Sequence, residues 1–300
     1  MKALQFTEYG APEVLRWAEA DDPHAGPGQI RISVKAASIN PIDWKLSTGM
    51  LAGGKPLEGV GRLGFDAAGV VDEVGAGVEG VEVGNDVFGR GSGTQAEYAL
   101  LDSWALKPAS VDWAVAAAAG VSVETSERGL RLAGIEPGQT LFVDGGAGGV
   151  GATAVQMAVA RGIKVIASAG EGNQDYLREI RAVPVVYGEG VADRVRAAAG
   201  GKVDAVFDTV GKTPIEDLIG LVAEPSKVVT IANYSAAEAG ARFTGGGDDS
   251  QPFEALAEGA SLLESSQIVI KIQTFPFFRA AEAYAISLGG HLRGKLVLVP

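Results

Sequence analysis

The chain has 300 residues, with 25 Lys and Arg against 37 Asp and Glu, and a formal net charge of −12 argues against nucleic acid or an anionic membrane as its main partner. With 47% hydrophobic and 21% charged residues it has the composition of a folded globular protein, long enough for one large domain or two smaller ones. Absence of cysteine excludes disulfides, iron–sulfur clusters, thiolate nucleophiles and zinc sites built on sulfur, leaving His24, His291 and carboxylates as the candidate metal ligands.

Residues 1–20 alternate apolar and charged positions and lack the unbroken apolar run of a signal peptide or membrane span. The longest apolar run, 113–121, reaches about half of the ~20 residues that a bilayer requires, so the sequence predicts a cytoplasmic protein with no membrane partner. Ile30, Ile32, Val34 and Ala36 alternate with Arg31, Ser33 and Lys35, the period of a half-buried strand. Further short strands are predicted at 67–74, 86–88 and 96–101, separated by glycines that supply turns, and together they suggest an irregular antiparallel barrel.

Near Pro108 the texture changes, because 111–120 is an alanine-rich, helix-forming stretch and strands alternate with helices thereafter. Strands are predicted at 140–143, 164–168, 185–187, 204–207 and 227–231, with helices at 149–161, 174–181, 191–199 and 214–223. Such alternation implies a doubly wound parallel sheet covered on both faces. Segment 239–252, with Gly245, Gly246 and Gly247 beside Asp248 and Asp249, predicts a loop, followed by a helix at 253–264 and strands at 268–273 and 295–299. The expected organisation is α/β with two domains: 1–108 joined by 267–300, and 109–266.

The most informative local pattern is Gly146-x-Gly148-x-x-Gly151, after one predicted strand and at the start of a helix that carries Val150, Ala154, Met157 and Ala158 on one face. In a dinucleotide-binding turn Gly146 makes the tight bend, Gly148 lets the backbone approach a pyrophosphate, and Gly151 allows the helix to pack on the strand. Amides at the helix start then face the anion. A simple strand-to-helix turn uses the same glycines, but the flanking strand, helix and second strand favour cofactor binding. About 20 positions beyond the first glycine, where an NAD-selective site carries an acidic residue, this chain has Ala169. A small neutral residue there removes repulsion against a 2′-phosphate and favours NADPH, although Glu171 lies two positions away.

Several segments together resemble one family. Ala37-Ser38-Ile39-Asn40-Pro41-Ile42-Asp43-Trp44-Lys45, Gly64-Phe65-Asp66-Ala67-Ala68-Gly69, Val74-Gly75-Ala76-Gly77-Val78, the fingerprint glycines, Asp208-Thr209-Val210-Gly211 and Arg293-Gly294-Lys295-Leu296-Val297 are similar to the zinc-independent, quinone oxidoreductase-like branch of the medium-chain dehydrogenase/reductases. The resemblance covers nearly the whole chain. It implies a GroES-like β-barrel catalytic domain made from both chain ends and a central Rossmann domain. The positions that hold catalytic zinc in other members match Asn40, Phe65 and Val121, so the resemblance implies no metal.

By the same resemblance Asn40 faces the substrate carbonyl or nicotinamide, and Lys45 aids anion stabilisation. It also places Gly146, Gly148, Gly149, Val150 and Gly151 at the pyrophosphate, Tyr187 near the adenosine phosphate and Thr209 beside the ribose. Ser168 is left as the hydroxyl nearest a 2′-phosphate. His291 and Arg293 match a C-terminal segment that reaches the cofactor in some relatives. Plainer roles fit several of these residues: a turn for Asn40, Thr209 and His291, a solvated lysine for Lys45, a strand-end aromatic for Tyr187. Glu124 departs from the family pattern and has no role in this reading.

Without a Lewis acid, hydride transfer relies on an acceptor that is already electrophilic, held against the nicotinamide and hydrogen-bonded where charge develops. The expectation is therefore a homodimeric, NADPH-dependent reductase of quinones or α,β-unsaturated carbonyls. A nucleotide-binding sensor or structural protein with little turnover, and a pathway-specific enoyl reductase, are the other readings.

Overall fold

The computed structural model describes residues 1–300. In chain order the first elements are β1 (Lys2–Phe6), β2 (Arg16–Glu19), β3 (Ile30–Ile39), α1 (Pro41–Ser47), β4 (Gly61–Arg62), β5 (Asp66–Val74), β6 (Asp86–Ser92), β7 (Tyr98–Leu106) and α2 (Trp113–Ala133). Next come β8 (Thr140–Asp144), α3 (Gly149–Ala160), β9 (Lys164–Ala169), α4 (Gln174–Glu179), β10 (Val183–Val186), α5 (Val191–Ala199), β11 (Ala205–Asp208), α6 (Ile215–Ile219), β12 (Val228–Thr230) and β13 (Arg242–Phe243). The chain ends with α7 (Pro252–Glu264), β14 (Ile272–Pro276), α8 (Ala280–Gly289) and β15 (Lys295–Val299). No helix is long and apolar enough to cross a membrane.

These elements form two compact units. The first comprises Met1–Val121, Pro252–Glu264 and Ile270–Pro300. Its main sheet has the order β14-β15-β3-β5-β6-β7, and β3 also pairs with β7, which closes the central strands into a barrel. The period-2 pattern of β3 is realised: Ile30, Ile32 and Val34 are buried with Leu4, Leu63, Val71, Val87 and Leu101 in one apolar cluster. Glycine serves close approach at Gly69 and Gly89, where a Cβ would overlap the carbonyl oxygens of Ser33 and Ser103 on the neighbouring strands. The last strands differ from expectation. β14 begins at Ile272, not at 268, because the alternating burial of Ile268 (2% exposed) and Ile270 (7%) belongs to an extended connection, not to a ladder.

The second unit comprises Ser122–Gln251 and Ser265–Val269. Its sheet has the order β10-β9-β8-β11-β12-β13, and every pairing is parallel. The strand order reverses at β8, the usual position of a nucleotide crevice in doubly wound sheets. Phe142, Ile166, Val206 and Val228 from successive strands pack with Val191, Val195, Leu218 and Leu221. Segment 239–252, expected to be a loop, contributes the short edge strand β13. The units depart from the expected boundaries at 108 and 267: residues 109–121 and 252–264 cluster with the barrel unit and 267–269 with the sheet unit.

Candidate active site

In the second unit β8 ends at Asp144, and Gly145 turns the chain with φ +85, a left-handed conformation that favours glycine. The glycines then divide their work. A Cβ at Gly146 would lie 2.7 Å from Cβ of Ala167, and one at Gly151 would overlap the carbonyl oxygen of Gly145, so both serve packing. At Gly148 a Cβ would meet only the Gly145 oxygen, at 3.6 Å, so this side is open. Gly148 is also the N-cap of α3 and supplies no side-chain cap. The first amides of α3, on Gly149, Val150 and Gly151, therefore have no intrahelical partner and stand at the positive end of the helix dipole. An open, uncapped, glycine-lined helix start fits a dinucleotide pyrophosphate.

Ser168, expected as the hydroxyl nearest a 2′-phosphate, is placed differently. Ser168 is fully buried (0% exposed), donates to Asp144 Oδ1 and accepts from the Gly145 N–H at 2.9 Å, so it braces the turn from beneath and does not face a 2′-phosphate. Its direction follows from strand parity, because successive β9 side chains alternate and Ser168 lies on the face opposite Ala167, whose Cβ faces Gly146. Thr209 donates both its N–H (3.1 Å) and its hydroxyl (2.7 Å) to the Asp144 carbonyl, locking the β11 turn to the end of β8. Tyr187 is 46% exposed with its ring beside Gly170, where a Cβ would come within 3.3 Å of Cε1.

Two carboxylates at strand ends organise this edge of the sheet. Asp144, only 2% exposed, also accepts from the Thr213 hydroxyl at 2.6 Å. Burial pushes its pKa up, against the pull of the Ser168 and Thr213 hydroxyls. Asp208 accepts from the N–H groups of Val210 (2.9 Å) and Gly211 (2.8 Å) and from the Thr230 hydroxyl (2.7 Å). Neither had an assigned role in the sequence reading. The signal was an acidic residue ending an apolar strand, after Val143 and after Phe207.

In the first unit the focus is the start of α1. Asn40 is 3% exposed, and its amide nitrogen donates to Asp66 Oδ1 at 2.9 Å and to Ser38 Oγ at 3.3 Å. Its carbonyl oxygen accepts from Lys295 Nζ at 2.6 Å. With both amide hydrogens engaged inside the unit, the amide donor expected to face a substrate carbonyl is turned to Asp66 and Ser38, which position Asn40. Asp66, fully buried, further accepts from Ser38 Oγ at 2.6 Å and from the Val121 N–H at 2.8 Å, with Lys295 Nζ at 3.5 Å. Asp43 accepts from the N–H groups of Asn40 (2.7 Å) and Gly64 (2.8 Å), which ties the helix start to the β4–β5 turn. Burial raises the Asp43 carboxyl to about 7, with Asp66 adding to the rise, and burial lowers the Lys295 ammonium against the attraction of Asp66 and Asp43. Lys295 is not among the residues expected at the site; its only signal in the sequence is its place in the closing Gly294-Lys295 motif.

Lys45, half-buried on the last turn of α1, places Nζ 5.9 Å from the centre of the Trp44 ring. His291 and Arg293 are exposed on the turn between α8 and β15, with His291 at φ +58. The expected residues thus fall into two groups: the glycine turn, Ser168, Tyr187 and Thr209 in the sheet unit, and Asn40, Lys45, His291 and Arg293 in the barrel unit. Glu124 now has a physical account. Fully buried on α2, it pairs with Arg128 (Nε–Oε1 2.9 Å) and accepts from Ser250, while Arg128 donates to Thr244 at 2.6 Å, so the pair holds both ends of segment 244–250.

Residues 26–110 match the alcohol dehydrogenase GroES-like domain, and residues 182–298 match the zinc-binding dehydrogenase domain. The whole chain is 32% identical to a 2-methylene-furan-3-one reductase of Solanum lycopersicum, over 79% of that protein. It is 31% identical to a chloroplastic NADPH-dependent alkenal/one oxidoreductase of Arabidopsis thaliana, over 80% of that protein. The solved quinone oxidoreductase of Coxiella burnetii aligns with a TM-score of 0.85 at 28% identity, covering 100% of this chain and 99% of the other. The chain belongs to the medium-chain dehydrogenase/reductase family, with a GroES-like barrel and a Rossmann sheet. It is an oxidoreductase of that family that uses a nicotinamide cofactor.

Proposed function

We propose that this protein is an NADPH-dependent reductase that passes hydride to a quinone or an α,β-unsaturated carbonyl without zinc. The observation that carries the reading is the character of the metal-ligand positions of the family. Phe65 and Val121 have no side-chain donor atoms, Asn40 is bound to Asp66 and Lys295, and the Val121 N–H is bound to Asp66. A site with this donor set suits an acceptor whose own conjugation spreads the charge it receives. The furanone reductase and alkenal/one oxidoreductase relatives, both above 30% identity, support the enone arm.

A nicotinamide dinucleotide with its pyrophosphate at the α3 start would supply the hydride. The chain's own residues do the rest. Gly148 gives the pyrophosphate room and the α3 amides neutralise it. Tyr187 offers a ring to the adenosine end. Asn40 and Asp43 fix α1, on which Lys45 is the cation assigned to the developing enolate or quinol anion. NADPH is the assigned cofactor because Ala169 presents no acidic clamp to the 2′-phosphate, and the inward turn of Ser168 leaves Tyr187 as the proposed contact in the sheet unit. A small-molecule acceptor is the expected partner, and homodimerisation through an edge of the parallel sheet is expected, with light scattering as its check.

The test is steady-state oxidation of NADPH and NADH with a panel of simple quinones, 2-alkenals and enones, with and without strong chelator. Turnover that survives chelation, with NADPH preferred, is the expected result. No turnover with any acceptor, or activity lost on chelation and restored by zinc, would overturn the proposal.

A further inference from the structure

Asp144 is a buried carboxylate, two residues before the first fingerprint glycine, in a sheet edge that the site reading assigns to a dinucleotide's phosphates. Two elements converge on it. From β9, Ser168 donates to Oδ1 and passes on the hydrogen bond of the Gly145 N–H. From the turn after β11, Thr213 donates to Oδ2 at 2.6 Å and Thr209 donates twice to the main-chain carbonyl. No lysine, arginine or histidine is among its hydrogen-bond partners; the charged group that acts on it is Asp208, at the end of β11, and its effect is repulsive. The first turn of α3 carries no acidic or basic residue.

The carboxylate is held by two hydroxyls and the Gly145 N–H, neutral donors that stabilise its charge without cancelling it. When a pyrophosphate adds negative charge at the α3 amides, the repulsion is relieved if Asp144 takes up a proton from solvent. The two hydroxyls then remain as partners, since a protonated carboxyl still accepts and its O–H donates to a hydroxyl oxygen.

We propose that Asp144 is a positioning residue that ties Gly145, β9 and the 209–213 turn into one cradle, and that it couples binding of the dinucleotide to uptake of one proton. The proposal rests on the reading of the glycine turn as the pyrophosphate site. It predicts that cofactor affinity rises as pH falls, with a limit of tenfold per pH unit where the linkage is steepest.

The experiment is calorimetric titration of the full chain with NADPH from pH 6 to 8, in two buffers of different ionisation enthalpy, for the native protein, Asp144→Asn, Ser168→Ala and Thr213→Val. The native protein is expected to take up a substantial fraction of a proton. Asp144→Asn, which keeps shape and can still pair with both hydroxyls, should show an uptake reduced by at least half and a flatter pH dependence of Kd. Ionisation of the 2′-phosphate is common to all four proteins and cancels in the comparison. Ser168→Ala and Thr213→Val each remove one donor from the carboxylate and should move the midpoint of uptake to higher pH, which keeps the test decisive should Asp144→Asn fold poorly. Equal proton uptake in native and Asp144→Asn proteins, or an unshifted midpoint in both hydroxyl variants, would overturn the coupling. Failure of the native protein to bind NADPH would instead overturn the nucleotide reading beneath it.

Discussion

Replacing Lys295 by Met tests whether the barrel unit is built around an internal cation. Lys295 is 4% exposed, and its ammonium donates to Asn40 Oδ1 at 2.6 Å and lies 3.5 Å from Asp66 Oδ2. Methionine preserves most of the apolar stem and removes the charge. Asp66 then keeps its donors from Ser38, Asn40 and Val121 but loses its cation, and the Asn40 carbonyl loses its partner. Breaking a buried ion pair from one side costs about 3–5 kcal/mol. The three surviving donors to Asp66 place the expected loss at the low end, about 3 kcal/mol. With a urea slope of about 1–3 kcal/mol/M, the unfolding midpoint should fall by about 1–3 M. All four tryptophans lie in the barrel unit, so intrinsic fluorescence reports its unfolding directly. Asp66→Asn combined with Lys295→Met removes both charges and should recover much of the loss. A midpoint for Lys295→Met equal to the native one, or a double variant as unstable as the two single losses combined, would refute the reasoning.

Asp43→Asn should flatten the pH dependence of stability. A carboxyl raised from 3.8 to about 7 stabilises the fold fully below pH ~4 and loses that contribution as pH rises through ~7, with an upper bound of about 4 kcal/mol, so urea midpoints at pH 5 and 7.5 should differ less in the variant. Gly148→Ala should leave the urea midpoint near native while weakening NADPH at least tenfold by fluorescence titration, because its Cβ enters open space at the α3 start. Gly151→Ala should lower both, because its Cβ overlaps the Gly145 carbonyl. Arg128→Met should cost about 3 kcal/mol in the sheet unit by leaving Glu124 buried without its cation, and limited proteolysis should then cut within 244–250 sooner than in the native protein.

Much of the architecture was legible because its signals are local. The alternation at Ile30–Val34, the strand–helix rhythm after residue 140 and the spacing of Gly146, Gly148 and Gly151 each depend on neighbours in sequence, and all reappear in the structure. The short helix α1 and the later α8 were not anticipated. α1 is held by a tertiary contact, since Asp43 reaches the Gly64 N–H as well as the Asn40 N–H. The site was legible as a set of positions but not as a set of directions. Ser168 and Asn40 were expected to face ligands because of where they stand in the chain; strand parity turns the first inward, and Asp66 with Lys295, 26 and 255 residues away from Asn40, claims the second. Glu124 had no meaning until Ser250 and Arg128 were seen around it.

The two units handle buried negative charge in opposite ways, and the difference bears on how the enzyme responds to its cofactor. In the barrel, Asp66 has Lys295 as a permanent counter-ion and Asp43 is held near neutrality by burial. That cluster is close to balanced before any ligand arrives, and its geometry can hold Asn40 and α1 still through a catalytic cycle. In the sheet, Asp144 has only uncharged donors, two hydroxyls and the Gly145 N–H, and a second carboxylate, Asp208, acting on it. An arriving polyanion leaves the first cluster's internal balance intact but worsens the second unless a proton enters. Adding a cation at Thr213 should therefore have a clear sign. Thr213→Lys, with its ammonium near Asp144, should favour the ionised carboxylate, and it should tighten NADPH at pH 8 relative to the native protein while reducing the gain on acidification. A Thr213→Lys protein whose affinity rises as steeply at low pH as the native one would show that the charge of Asp144 is not what the cofactor senses.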